Sequence, residues 1–376
     1  MTVIGLTNHR ISSLPVFMAA PAPLTLQHIA DLAKVSRTTV SLALRNHPKI
    51  TPEVRQRVQA LAKKLDYRPN PLVSAHMAHL RALHPAQTGQ CLAFACRHSL
   101  EEIETDTKSP LWRYYCGARD RARDLGYQLE FFNIHGPDMT VRRTSQILRA
   151  RGICGVIITP LSEGPGVSDI ALEWNEFAMA TIEHVFLQPQ LHKACNDGFS
   201  TIGRAIQRLL DDGCHRVGIA MHGQMDDHAN HLWLAGYTAF QALAPARDRM
   251  PHFITPRWDK EGFLRWFRRW RPEAIITIND DIVRWLRSEK IRVPQDVSCV
   301  TLYWRESRAY LSGFYQNHEV MAAGAVDLVA AQLNRNERGL PERTKTMLFQ
   351  ADWRDGSTHR VRKSESTDAP LRVWTA

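Results

Sequence analysis

Two short amphipathic stretches separated by only three residues constrain this chain more than any other feature. They lie in LTLQHIADLAKVSRTTVSLALRNHPKITPEVRQRVQALAKKLDYRPNPLV, which begins at Leu24. Thr25 is placed to cap a helix with Leu26, Ile29, Ala30 and Ala33 on one face. Lys34, Val35 and Ser36 make the turn, and Ser36 caps a second helix from Arg37 to Arg45. Helices joined by so short a turn must cross steeply, as a helix-turn-helix, over a shared core of Val35, Val40 and Leu44. Thr51 caps a third helix, with Pro52 in its first position, Glu53 in its first turn and Val54, Val58, Leu61, Ala62 and Leu65 inward.

The charge shows what such a unit would meet. Residues 24–81 contain ten Lys and Arg against three Asp and Glu, so they hold +7 of the net +10 of the whole chain. A small basic unit on a nearly balanced body is the electrostatic footprint of a nucleic-acid partner. A merely solvated helical hairpin is the blander alternative.

The segment VSRTTVSLALRNHPKITPEVRQRVQALAKKLDYRPN resembles, without a gap, the DNA-binding headpiece of the lactose/galactose repressor family of transcriptional regulators. The resemblance implies that the second helix enters the major groove of an operator. Arg37, Thr38 and Leu42 then reach base edges, while Ser36, Thr39, Ser41, Asn46 and Lys49 meet the DNA backbone. Two residues depart from the pattern. Lys34 stands where the family commonly has glycine, at a cost of roughly 1–2 kcal/mol if its backbone is left-handed. Leu42 can read a base only by apolar contact, for instance with a thymine methyl. Asn70 and Pro71 open a further short helix, which the resemblance makes a hinge that folds on DNA and wedges an apolar side chain into the minor groove. That position falls on His76, with Met77 beside it, and Met77 is the better wedge on physical grounds. A plain flexible linker is the alternative.

From Gln90 onward, short apolar runs alternate with amphipathic helices. CLAFAC, QLEFFNI and GVIITP are separated by helices over 113–126 and 140–151. A second series starts near Asp197, with HRVGIAM, PHFIT, AIITI and VSCVTLY among helices over 232–243 and 260–270. GAVDLVAAQLNRNERGLP reads as a final helix and TKTMLFQADW as one closing strand. Such alternation implies parallel strands buried on both faces. The expected fold class is therefore α/β: a small all-α helix-turn-helix headpiece followed by two doubly wound parallel α/β lobes. These halves resemble the periplasmic-binding-protein-like effector domain of the same family. The expected divisions are an unstructured extension over 1–23, the headpiece over 24–69, a hinge helix and linker over 70–88, an effector-binding and dimerisation body over 89–363, and a tail over 364–376. Met18 is an alternative start within the extension.

Ligands of open parallel sheets bind beyond the carboxyl ends of the strands. The loops there contain Arg97 and His98, Ser109 to Trp112, Leu161 to Glu163, the HGQMDDHANH run from His222, Asn279-Asp280 and Tyr303-Trp304. Asn279 and Asp280 match the family's Asn-Asp, which bonds ligand hydroxyls. Trp112, Trp233 and Trp304 complete the candidate effector set. The resemblance also shows two departures: Trp233 stands where sugar-binding members often have arginine, and Tyr303 where they have an Asp-containing turn, so the case for a sugar or sugar derivative weakens in favour of a ligand stacked on rings or of a sensor without a ligand.

Other clusters have plainer readings. His222, Asp226, Asp227, His228 and His231 fit no compact metal motif, and no metal or cofactor is expected. In RWDKEGFLRWFRRWRPEA, Phe263, Trp266, Phe267 and Trp270 recur at helical spacing and form a core stripe, with Arg265, Arg268 and Arg269 outside. Seven scattered cysteines without a Cys-x-x-Cys pair read as reduced thiols of a cytoplasmic protein. Leu14 to Ala20 is too short and proline-interrupted for a convincing signal peptide, and no run approaches the ~18 apolar residues of a membrane span. No P-loop, Gly-x-Ser-x-Gly or Gly-x-Gly-x-x-Gly marks an enzyme. The expectation is a dimeric DNA-binding repressor whose affinity for a pseudo-palindromic double-stranded operator is set by a small-molecule effector. An activator fits the same residues. The alternative from another class is a solute-binding or enzymatic α/β protein with an incidental basic headpiece.

Overall fold

The structure, a computed structural model, describes residues 25–44, 50–65, 67, 90–134, 140–160, 172–184 and 189–360. The chain divides into two compact units at 71/72. In the first, α1 (Leu26–Ala33), α2 (Arg37–Leu44) and α3 (Pro52–Lys64) close over Ile29, Ala30, Ala33, Val40, Ala43, Val58 and Ala62. Val35 and Leu44 pack half-buried against this core. The Ser36 hydroxyl caps α2 as the sequence implies, accepting from the Thr39 N–H at 3.0 Å. Thr51 precedes α3 with extended backbone, but its hydroxyl accepts no N–H of the helix, and Pro52 opens the helix instead. Gln59 ties α3 to α2 by donating to the Ala43 carbonyl at 3.2 Å.

Lys34 ends α1 in the left-handed conformation, with φ 51° and ψ 47°, and the Val35 N–H closes the turn on the Ala30 carbonyl at 3.0 Å. The departure from glycine seen in the sequence is thus a real strain.

The second unit holds two six-stranded sheets. The first lobe runs β1 (Cys91–Cys96), α4 (Leu100–Glu104), α5 (Pro110–Asp124), β2 (Gln128–Asn133), α6 (Val141–Ala150), β3 (Ile153–Ile158), β4 (Ala178–Ile182) and β5 (His192–Asn196). The second runs α7 (Gly198–Asp211), β6 (Val217–His222), α8 (Gly223–His228), α9 (Leu232–Leu243), β7 (Phe253–Thr255), α10 (Lys260–Trp270), β8 (Ala274–Thr277), α11 (Asp281–Ser288), β9 (Ser298–Thr301) and β10 (Ser312–Tyr315). The chain then returns through α12 (His318–Arg335), β11 (Thr346–Phe349) and β12 (Asp352–Arg354). Strand order is β11-β5-β4-β3-β1-β2 in one sheet and β12-β10-β9-β8-β6-β7 in the other. All pairings are parallel except β12 on β10. Central strands such as β1 and β4 are buried along their whole length, as two-sided helical cover demands. On α10, Phe263 and Trp266 are buried while Arg265, Arg268 and Arg269 are exposed, so the aromatic stripe is core.

The single closing strand expected over TKTMLFQADW is two strands. Phe349 pairs with Asn196 in the first sheet, whereas Trp353 pairs with Phe314 in the second, and Gln350 and Ala351 span the step between them. This is the third passage of the chain between lobes, after β5 to α7 and β10 to α12. The passages bond to one another. The Asp197 N–H and the Asn196 amide donate to the Phe349 carbonyl at 2.8 and 3.2 Å, and the Asn317 amide donates to the Gln350 carbonyl at 3.1 Å. At Gly117 a Cβ would lie 2.2 Å from the Glu319 carbonyl oxygen, so only glycine lets α5 approach the start of α12 this closely.

Replacing Lys34 with glycine should relieve the left-handed strain and stabilise the headpiece by about 1 kcal/mol. Slower hydrogen exchange of the α1–α3 amides is the expected outcome, and unchanged or faster exchange would contradict it.

Candidate functional site

The headpiece presents a polar face along the start of α2. Arg37 and Thr38 are exposed, and Ser41 and Leu42 are half-buried at the edge of the core. Arg37 makes no ion pair among the described residues, so its guanidinium is available. The Ser36 and Thr39 hydroxyls lie 2.8 Å apart and bond each other. Arg57, Lys63 and Lys64 extend the positive surface along α3. Asn46, Lys49, His76 and Met77 lie outside the described residues.

The body holds a cavity of about 750 Å³ between its lobes. One wall comes from the ends of first-lobe strands and the start of α5, with Arg97, Ser109, Tyr114, Glu183 and His184. The other comes from α8, α9 and the loop after β9, with His228, Leu232, Trp233, Tyr303 and Arg305. Asn196 and Gln316, at two of the chain passages, also line it, and the Gln316 amide donates to the Leu302 carbonyl at 3.0 Å.

Burial sets the protonation of this cavity. The Tyr114 hydroxyl donates to Glu183 Oε1 at 2.8 Å, and burial, reinforced by that carboxylate, holds the phenol proton well above its usual range. Burial also raises the Glu183 carboxyl, against the opposing bond from Tyr114. Glu183 has φ 66°, a left-handed backbone that a non-glycine residue adopts at a cost. Burial pushes the His184 imidazole down to about 4 and lowers that of His228. His184 Nε2, His228 Nε2 and Trp233 Nε1 are buried without a hydrogen-bond partner among the described residues. Tyr303 is pushed up to about 12 by burial, and the Arg305 guanidinium lies 4.7 Å from its ring centre.

Of the effector residues taken from the sequence, Trp233 lines the cavity and four others do not. Trp112 packs against Tyr115, with ring centres 5.8 Å apart. Asn279 Oδ1 accepts the His222 N–H at 3.1 Å, joining the tips of β8 and β6. Asp280 pairs with Arg308 at 3.1 Å and makes no side-chain cap on α11. Trp304 sits edge-on to Tyr315 at 6.0 Å. Within the run from His222, the carboxylate of Asp226 is buried and accepts the Leu234 N–H at 3.0 Å, which fastens α8 to α9. Tyr114, Glu183, His184, Arg305 and Gln316 line the cavity without having been singled out in the sequence.

Ion pairs cross from lobe to lobe. Lys108 and Arg113, ahead of and within α5, reach Glu306 of the second lobe at 2.9 and 3.0 Å, and Arg113 also binds Glu319 at 2.6 Å. Partly exposed pairs of this kind contribute about 0–1 kcal/mol each, enough to bias lobe closure without fixing it. Behind them His318 is enclosed by Tyr114, Tyr303 and Tyr315, with ring centres 5.1–5.4 Å away. Burial pushes its imidazole down to about 4.

An exposed polar face on a helix-turn-helix unit, joined in one chain to a two-lobed body around a cavity, defines a DNA-binding transcription regulator. Residues 25–70 match the lacI family of bacterial regulatory proteins, and residues 206–355 match the periplasmic binding protein-like domain. The two matches stand in chain order, the first on the headpiece and the second on the body. Among curated relatives, the ribose operon repressor of Escherichia coli K12 is 22% identical over 298 residues, covering 73% of this chain and 82% of the relative. Catabolite control protein A of Staphylococcus xylosus is 20% identical over 302 residues, covering 74% and 81%. Among solved structures, a lac repressor dimer bound to operator and an anti-inducer aligns over 89% of this chain and 99% of its own, with 17% identity and a TM-score of 0.50. A lacI-family regulatory protein from Chloroflexus aggregans aligns over 72% and 98%, with 14% identity and a TM-score of 0.53. These likenesses establish the fold. No helix among the described residues is long and apolar enough to cross a membrane.

The enclosed imidazoles predict acid sensitivity. Unfolded His318 takes its proton near 6.5, whereas the folded residue does so only at about 4. The unfolded chain therefore binds protons first, and stability is lost as pH falls from about 6.5 toward 4, at roughly 1.4 kcal/mol per pH unit for each such group. His184 acts in the same direction. Denaturant midpoints at pH 7 and pH 5 should differ less in His318→Gln than in the wild type, and an equal drop in both would contradict the assignment.

Proposed function

We propose that the chain acts in the cytoplasm as a homodimeric repressor that reads a pseudo-palindromic double-stranded operator and takes a small-molecule effector in the cleft between its lobes. The observation that carries this reading is the pairing of two features. Arg37 is exposed on a headpiece helix, without an ion pair among the described residues, and the body holds a cavity walled by both lobes around the chain passages. Two copies of α2 related by a twofold axis would meet successive major grooves. Arg37, Thr38 and Leu42 read base edges there, while Ser36, Thr39, Ser41, Asn46 and Lys49 engage phosphates. Met77, next to His76, supplies the minor-groove wedge of the hinge helix. The known relatives include a ribose operon repressor and a lac repressor dimer bound to operator, which supports both the dimer and a sugar or sugar derivative as effector. The protein works by binding, not catalysis.

An effector that touches both walls favours one lobe arrangement by its differential affinity, and coupling of this kind is typically 1–3 kcal/mol. Of the five residues Trp112, Trp233, Asn279, Asp280 and Trp304, Trp233 lines the cavity, so Trp233→Ala should abolish the effector's influence on operator affinity while leaving operator binding intact.

The base-reading assignment is tested on a tight DNA site. Arg37→Ala should cost about 1–3 kcal/mol and relax sequence preference, whereas Lys49→Ala should weaken all sequences alike and reduce the salt slope by about 1. Equal, sequence-blind losses in both variants would refute it.

A further inference from the structure

The cations around the cleft are unequally satisfied. Arg308 pairs with Asp280, and Lys108 and Arg113 pair with Glu306. Arg305 lies on the same second-lobe loop and lines the cavity, yet no carboxylate among the described residues pairs with it. Its guanidinium lies over the Tyr303 ring, and its Nε is buried without a hydrogen-bond partner among those residues. A guanidinium does not escape burial by losing its proton, so a partly buried one calls for an anion. Arg97 lines the same cavity from the first lobe. Glu183 is a poor counter-ion, because it already accepts the Tyr114 hydroxyl and burial raises its carboxyl. Trp233 Nε1, His184 Nε2 and His228 Nε2, without a hydrogen-bond partner among the described residues, suit hydroxyl groups, since burial favours the neutral form of both imidazoles. The Trp233 ring, which lines the cavity, suits the C–H face of a sugar ring.

We infer that the effector is a sugar or polyol carrying one anionic oxygen group, a carboxylate or a phosphate, and that Arg305 is the residue that selects it. This rests on the cleft being the effector site.

The test is a thermal-shift and titration panel on the full-length chain. It compares neutral pentoses and hexoses with their aldonates, uronates and phosphates. Acidic members should raise Tm saturably where their neutral parents do not, and whether acids or phosphates do so identifies the group. Arg305→Gln should weaken that binding at least tenfold, and Arg305→Lys, which keeps the charge, should retain part of it. Three results would each overturn the inference: a neutral parent binding as tightly as its acid, Arg305→Gln binding the acid like the wild type, or no anionic member binding. Operator affinity measured in parallel separates the two readings. Arg305-dependent binding that leaves operator affinity unchanged upholds the ligand class and refutes the effector role of the cleft. A neutral sugar that changes operator affinity does the reverse.

Discussion

Three passages of the chain between the lobes, bonded to one another around Asn196, Asp197, Asn317 and Phe349, carry the body of this protein. Neither sheet is completed by a continuous piece of sequence. The first sheet receives β11, and the second receives β12, from the end of the chain. The lobes are therefore linked through these passages, through the buried rings around His318, and through partly exposed side-chain pairs such as Lys108–Glu306. The cavity lies against two of the passages, through Asn196 and Gln316, so a ligand there meets both walls next to the pivot. Differential contact with the two arrangements is the physical requirement for an effector.

The headpiece has opposite economics. Four of the seven buried core side chains among its described residues are alanines, which give a small core, and it carries a left-handed lysine where glycine would be free of strain. Small units bury too little surface to be rigid. Its conspicuous polar residues, Arg37 and Thr38, contribute nothing to that core. Their exposure leaves them free of the packing that holds the unit together.

The architecture was legible because its signals are local. The three-residue turn, the Ser36 cap, the aromatic stripe of α10 and the span of α9 each follow from spacing and cap chemistry alone. The cavity was less legible, for three separable reasons. Glu183 and His184 follow β4, whose run AMATI mixes small and polar residues with apolar ones and so carries a weak strand signal. On α5, Tyr114 lines the cavity and Trp112 does not; residues two apart on a helix are rotated by about 200°, and sequence alone does not set that phase. Asp280 depended on a partner 28 positions away, Arg308, which no local pattern reveals. The split of TKTMLFQADW into β11 and β12 has the same origin, since the strands that pair with it, β5 and β10, lie far earlier in the chain.

The central claim is that one end of this chain reads a specific DNA sequence on behalf of the other. Repeated selection of bound molecules from random duplex DNA by the full-length protein, at physiological salt, tests it most directly. The account predicts enrichment of a twofold-symmetric sequence, with half-sites spaced for two α2 helices in successive major grooves. Retention of DNA without any enriched sequence, weakening with salt alone, would contradict it.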